Sequence, residues 1–153
     1  MDQGIADSLL EAALAEAREA VAEGGMPFGA VLAGADGAIR ARGRNRQAQD
    51  GRWLAHAETE CLAAYLTTLE RREEMDTSVL VATEAPCPRC AGAIAVAGIG
   101  RCIVGEDHHY AGALDVLHDA GIPVTVLGHQ GCIDLVTTFR RDHPDRCDRF
   151  SAG

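Results

Sequence analysis

Two short clusters hold the side chains best suited to chemistry: His56-Ala57-Glu58 and, further along, Pro86-Cys87-Pro88-Arg89-Cys90. Together they offer an imidazole, two thiols and a carboxylic acid. A catalytic zinc site uses such a set: three nitrogen and sulfur ligands, a position left open for water, and a neighbouring group that moves protons. Cys87 and Cys90 are spaced i, i+3 around Pro88, a residue suited to the first position of a helix. At a helix start that spacing puts both sulfurs on one side, where the positive end of the helix favours thiolates. His56 and Glu58 are only two apart and would point in roughly opposite directions on a regular helix. They serve one site only if His56 stands at the helix start, which the pre-helical pair Leu54-Ala55 permits.

Each cluster has a plainer reading. A lone Cys-x-x-Cys is found in redox pairs and as half of a structural zinc site, and a lone His-x-Glu is commonly surface decoration. The two together, each at a junction into a helix, are far more specific. A structural site would want a fourth ligand, and none of Cys61, Cys102, Cys132 and Cys147 has paired spacing; these four read mostly as small buried apolar groups.

The elements that must position the clusters follow from periodicity. Apolar residues at Ile5, Leu9, Leu10, Ala13, Leu14, Ala17 and Val21 predict a helix over 5–21, with acidic residues early and Arg18 late, stopped by Gly24-Gly25. Phe28 to Ala33 and Ala38 to Arg42 flank the turn residues Gly34-Ala35-Asp36-Gly37 and predict a β-hairpin. Gly43 to Gly51 reads as an irregular polar loop containing Asn45. From His56 a helix is expected to about Leu69, with Ala57, Cys61, Leu62, Tyr65, Leu66 and Leu69 as its apolar stripe. Glu58 falls on that stripe, where a carboxyl group is costly unless it has a partner or a function.

Ser78 to Thr83 reads as a buried strand, and Pro88 to Ala97 as a helix ending at Gly98 or Gly100. Cys102 to Val104 is a strand, Ala111 to Ala120 a helix closed by Gly121, Pro123 to Leu127 a fifth strand, and Cys132 to Arg141 a helix broken by Pro144. Alternation from residue 78 onwards implies parallel pairing with helices on both faces. With the hairpin, this predicts one three-layer α/β/α domain over 1–153 around a five-stranded mixed sheet.

The chain has 153 residues, enough to bury a core without covalent staples. No apolar run approaches a membrane span, and the first ten residues, with Asp2 and Asp7, lack the pattern of a secretory leader. A cytoplasmic, reducing setting with free thiols is expected. The net charge of −9 weighs against a nucleic-acid partner and leaves a small neutral substrate unopposed.

His56-Ala57-Glu58 with Pro86-Cys87-Pro88-Arg89-Cys90 resembles the signature of the zinc-dependent cytidine/deoxycytidylate deaminase superfamily. In detail the chain is similar to the small yeast-type cytosine deaminases. The matching stretches are Gly43-Arg44-Asn45, Ala93-Ile94, the run from Gly98 to Glu106, and Phe139-Arg140-Arg141-Asp142-His143-Pro144. The resemblance implies a cytidine-deaminase-like fold and one Zn²⁺ per chain held by His56, Cys87 and Cys90. It implies that Glu58 is catalytic, carrying a proton from water to a ring nitrogen and, in a second transfer, protonating the leaving amine.

For the substrate, it implies that Asn45 hydrogen-bonds the base, that the Ala57 N–H binds the base carbonyl, that the Ala85 carbonyl lies near the leaving amine, and that Phe28 and Tyr110 form pocket walls. In yeast-type enzymes the tail carries a tryptophan and then an acidic residue. Here Cys147 takes the tryptophan's place, and Asp148 or Phe150 the acidic one. The implied reaction is deamination of a free base, cytosine to uracil plus ammonia. Guanine or another amino-azine such as a triazine or pterin is the alternative, because Pro27-Phe28-Gly29-Ala30-Val31 suits guanine deaminases equally. Adenosine deamination on tRNA, and a zinc-stabilised binding module without catalysis, are further alternatives. The net charge weighs against the first and Glu58 against the second. The resemblance also implies a homodimer.

Overall fold

The computed structural model describes residues 1–150. Helix α1 (Gln3–Ala22) leads into the hairpin β1 (Gly29–Ala33) and β2 (Ile39–Arg44), then the single turn α2 (Gln47–Asp50) and α3 (Ala57–Tyr65). After a short α4 (Leu69–Arg72) the chain alternates: β3 (Val79–Glu84), α5 (Pro88–Ala97), β4 (Arg101–Glu106), α6 (Leu114–Asp119) and β5 (Val124–Val126). Helices α7 (Gln130–Asp142) and α8 (Pro144–Phe150) follow. The sheet is ordered β2-β1-β3-β4-β5. β1 is antiparallel to β2 and β3, whereas β3, β4 and β5 run parallel, so the sheet is mixed as expected.

The two-residue period of the strands divides the core between the sheet faces. Val31, Val81 and Ile103 meet Leu9, Leu10, Ala13 and Leu14 of α1 on one side. Leu32, Leu80, Cys102 and Val104 meet α3, α5 and α6 on the other, through Cys61, Leu62, Ile94 and Leu117. Both faces are covered, which is why the central strands read as continuous apolar runs. One glycine sets the distance of the site helix from the sheet. A Cβ on Gly43 of β2 would collide with the backbone of Ala57 and Cys61, so α3 lies directly against the strand.

Several boundaries differ from the sequence expectation, each for a local reason. The charge bias of α1 is absent from its end turns; its N-terminus is capped instead by Asp2, which accepts from Gly4 N at 2.9 Å. The loop after β2 is partly helical, because the Asn45 side chain accepts from Gln47 N at 3.0 Å and starts the turn α2. Helix α3 ends at Tyr65 rather than near Leu69: two β-branched threonines, Thr67 and Thr68, follow, and Leu69 is 81% exposed. The helix expected from Ala111 begins only at Leu114, because Gly112 adopts a φ of 69° and Ala113 N is tied to the Pro86 carbonyl at 2.9 Å. Pro144 does more than stop α7: it occupies the first position of α8.

Candidate active site

The starts of α3 and α5 meet at the carboxyl end of β3. His56 is the N-cap of α3, in extended conformation (φ −81°, ψ 161°), one residue before the helix becomes regular. Its backbone N–H donates to Thr59 Oγ1 at 3.1 Å, which leaves the imidazole free to turn towards α5. Cys87 is the N-cap of α5, also extended, with Pro88 and then Cys90 in the first turn. His56 Nδ1 lies 3.5 Å from Cys87 Sγ and 3.4 Å from Cys90 Sγ. A tetrahedral zinc with nitrogen at about 2.05 Å and sulfur at about 2.3 Å sets such ligand atoms roughly 3.5 Å apart. Donor types and spacing therefore fit zinc.

The two thiols are hydrogen-bonded to each other. Cys87 is lowered to about 3, first by the hydrogen bond from Cys90 and then by that of His56. Cys90 is pushed up by the same bond and by burial. Glu58, in the first turn of α3, is only 7% exposed. Burial raises its carboxyl above the ordinary range, opposed by its own backbone amide and by His56.

A cavity opens beside this cluster, and His56, Glu58 and Cys87 form part of its wall. Phe28, Asn45, Ala57, Ala85 and Tyr110 all line it as well. The Asn45 amide is already engaged with Gln47: Nδ2 donates to Gln47 Oε1 at 2.8 Å, and Oδ1 accepts from Gln47 N. One amide hydrogen and one lone pair remain for a ligand. Asp148 is not brought in; it is exposed, and the cavity is lined instead by Cys147, one residue before it. The side chain of Phe150 lies outside the described residues. His109, in the loop after β4, pairs with Glu106 at 2.9 Å and with Thr137 at 3.0 Å.

Residues 5–106 match the cytidine and deoxycytidylate deaminase zinc-binding region. The chain belongs to this family. The cytosine deaminase of Candida albicans is 30% identical over 135 residues, covering 88% of this chain and 89% of that protein. The tRNA-specific adenosine deaminase of Bacillus subtilis is 32% identical over 96 residues, covering 63% and 58% respectively. The guanine deaminase from Nitrosomonas europaea shares the fold, with a TM-score of 0.71 at 22% identity over 87% of this chain and 83% of that one. With the deaminase family come zinc as the cofactor and the hydrolysis of a C–N bond as the reaction.

Among the cavity residues that sequence reasoning overlooked are Glu84, Phe139 and Arg140. Phe139 and Arg140 lie on α7, where nothing in the pattern separates a pocket wall from ordinary core or surface. Glu84 did leave a signal, an acidic residue closing an otherwise apolar strand. Of the cysteines outside the cluster, Cys61, Cys102 and Cys132 are buried, and burial pushes each thiol up to about 12. They are small core groups, as expected.

Proposed function

We propose that the protein hydrolytically deaminates a free nucleobase or similar amino-substituted heterocycle, cytosine to uracil plus ammonia being the first candidate. The observation that carries this reading is Glu58, a buried carboxylic acid in the same cavity wall as His56 and Cys87. When bound, zinc supplies an activated water of lowered pKa. Glu58 takes a proton from water, gives it to a ring nitrogen and so makes the neighbouring carbon more electrophilic. It then takes the remaining proton of the hydroxyl added to that carbon and gives it to the leaving amine, which departs as ammonia. Its raised affinity for protons suits a group that must hold one between these two transfers.

The Ala57 N–H belongs to the first turn of α3, whose amides have no partner within the helix, so it is placed to donate to a base carbonyl. The remaining capacity of Asn45 reads the adjoining edge. Phe28 and Tyr110 supply the walls that exclude water, and Ala85 flanks the leaving amine.

Ammonia release from cytosine, guanine, adenine and aminotriazines tests the reading. Turnover of at least one free base is expected, and release from none of them overturns it. A reading as a tRNA adenosine deaminase has one observation in its favour: Arg140 lines the cavity on α7, with Arg141, Arg146 and Arg149 nearby in sequence. Of these, Arg141 is paired with Asp142 at 2.8 Å and Arg146 donates to the Gly25 carbonyl at 3.2 Å. Deamination of a tRNA anticodon stem-loop, with no turnover of free bases, would establish that reading instead.

We also propose a homodimer in the cytoplasm. Trp53 and Leu54 are 57% and 63% exposed and flank a shallow surface groove that Arg89 also lines. Arg89 Nε and one of its terminal nitrogens are buried without a hydrogen-bond partner among the described residues. A second copy would cover the apolar pair and supply acceptors to the guanidinium. Sedimentation equilibrium should give twice the chain mass of 16.1 kDa, and a monomer at all concentrations would exclude the dimer. The free, buried cysteines support a reducing compartment.

A further inference from the structure

Glu84 is the last residue of β3 and ends the run Val79-Leu80-Val81-Ala82-Thr83 with a carboxylic acid. It lines the cavity together with Asn45, Glu58 and Tyr110. Its Oε1 is buried and has no hydrogen-bond partner among the described residues. In the parallel register of β3 and β4, Glu84 stands beside Glu106. Glu106 is completely buried and firmly held: it accepts from the His109 backbone N–H at 3.0 Å and faces His109 Nδ1 at 2.9 Å, while His109 Nε2 lies 3.0 Å from Thr137 Oγ1.

Two carboxyl groups side by side in a buried place do not both ionise. Glu106 holds two contacts with His109 while Glu84 Oε1 has no partner among the described residues, so the proton is assigned to Glu84. Burial first, and the negative charge of Glu106 second, raise Glu84 to about 9, against a smaller opposing pull from Arg140. One oxygen of Glu84 is then used in the hydrogen bond with Glu106. Oε1 is the other, a neutral acceptor without a partner among the described residues, on a residue of the cavity wall. A buried acceptor of this kind is left unsatisfied by any ligand that brings no donor to it.

We propose that Glu84 determines substrate choice by accepting, through Oε1, a hydrogen bond from a ring N–H of the bound base. The pocket therefore takes free bases and rejects their N-glycosylated or N-alkylated forms. This rests on the deaminase reading above and narrows it. The ring N–H of a free base is the group that a nucleoside replaces with a sugar. A nucleoside therefore brings no donor to Oε1, and its substituent would press against a strand end that cannot retreat. The tail carboxylate expected from the sequence, Asp148, lies outside the cavity wall. Glu84 is the carboxyl group available for this role from the sheet itself.

The test compares cytosine with 1-methylcytosine, or guanine with 9-methylguanine if the panel selects the purine, on the zinc-loaded chain. Ammonia release gives kcat and KM, and calorimetry gives Kd. The unsubstituted chain should favour the free base by about a hundredfold in kcat/KM, as expected where a pocket group is left unpaired. Glu84→Gln keeps the acceptor, because its amide N–H can donate to Glu106 while Oε1 stays in place. It should hold that ratio to within about threefold. Glu84→Leu removes the acceptor and should lower kcat/KM for the free base by at least about tenfold, mainly through KM, while sparing the methylated base, so the ratio collapses.

Equal losses on both bases, or equal losses in the Gln and Leu variants, would mark Glu84 as merely structural and overturn the proposal. If Glu84→Leu does not fold, Glu84→Asn, which withdraws the acceptor by one carbon, is read by the same ratio. Turnover of a free base and its methylated form at equal rates overturns this inference and leaves the deaminase reading standing. Binding without ammonia release removes that reading and leaves this inference to the Kd ratios. Neither binding nor release overturns both.

Discussion

Glu58→Gln is expected to lower turnover by about 10³-fold while zinc content and fold are retained, on the usual scale of general acid–base catalysis. Glutamine matches the size and the hydrogen-bonding outline of the acid, so the first turn of α3 loses little. What it cannot do is accept and release a proton in each of two successive transfers. The side chain is 7% exposed, so bulk water is poorly placed to take over the transfer. Nor does the surrounding structure offer a substitute: Glu84, the other acid in the cavity wall, lies beside Glu106 at the end of β3. Zinc content measured by mass spectrometry separates this result from loss of the metal. Turnover within about tenfold of the unsubstituted chain would remove Glu58 from the mechanism, since proton carriers contribute more than that. Stability should not suffer either, because the substitution removes a carboxyl group whose charged form is disfavoured by burial.

The same residue shows how far the sequence alone could reach. A carboxylate on an apolar helical stripe is a local conflict, and such conflicts gather at functional sites. Glu58 was legible for that reason, and His56, Cys87 and Cys90 because their donor types and spacing have few other uses. The fold was legible too, since buried parallel strands and their covering helices write long apolar runs. The boundaries were less so: Leu69 fits the stripe of α3 by spacing alone, yet the chain turns away after Tyr65 and leaves it exposed. The pocket was only partly legible. Glu84 looks like the polar end of a strand until the register places it beside Glu106 and the cavity wall. Asp148 matched its expected place by counting along the tail, but α8 carries it to the surface and turns Cys147 inward. Both cases depend on tertiary geometry that a linear spacing does not encode.

Cys90→Ala is expected to abolish turnover and to make stability indifferent to zinc. The unsubstituted chain joins α3 and α5 through three donor atoms, with His56 Nδ1 3.4 Å from Cys90 Sγ and 3.5 Å from Cys87 Sγ. An ion bound only by the folded chain adds about 4 kcal/mol at a thousandfold excess over its dissociation constant. For a chain of this size that corresponds to roughly 8–16 °C in Tm, and a chelator should remove it. Losing a thiolate leaves two donors, too few for a closed set of protein ligands at zinc.

The required control is Cys102→Ala, because both residues are fully buried and either truncation leaves a small cavity. Cys102 lies on β4, in the apolar core on the α5 side of the sheet, and its substitution should lower Tm while preserving the response to chelator. The two effects should then be additive in zinc-free and zinc-loaded protein alike, the Cys90 effect alone growing when zinc is present, since Cys90 alone is coupled to the ion. A chelator response that survives Cys90→Ala would place the metal elsewhere. A Tm that no chelator moves, in the unsubstituted chain, would mean that these three side chains hold no ion whose binding is linked to folding.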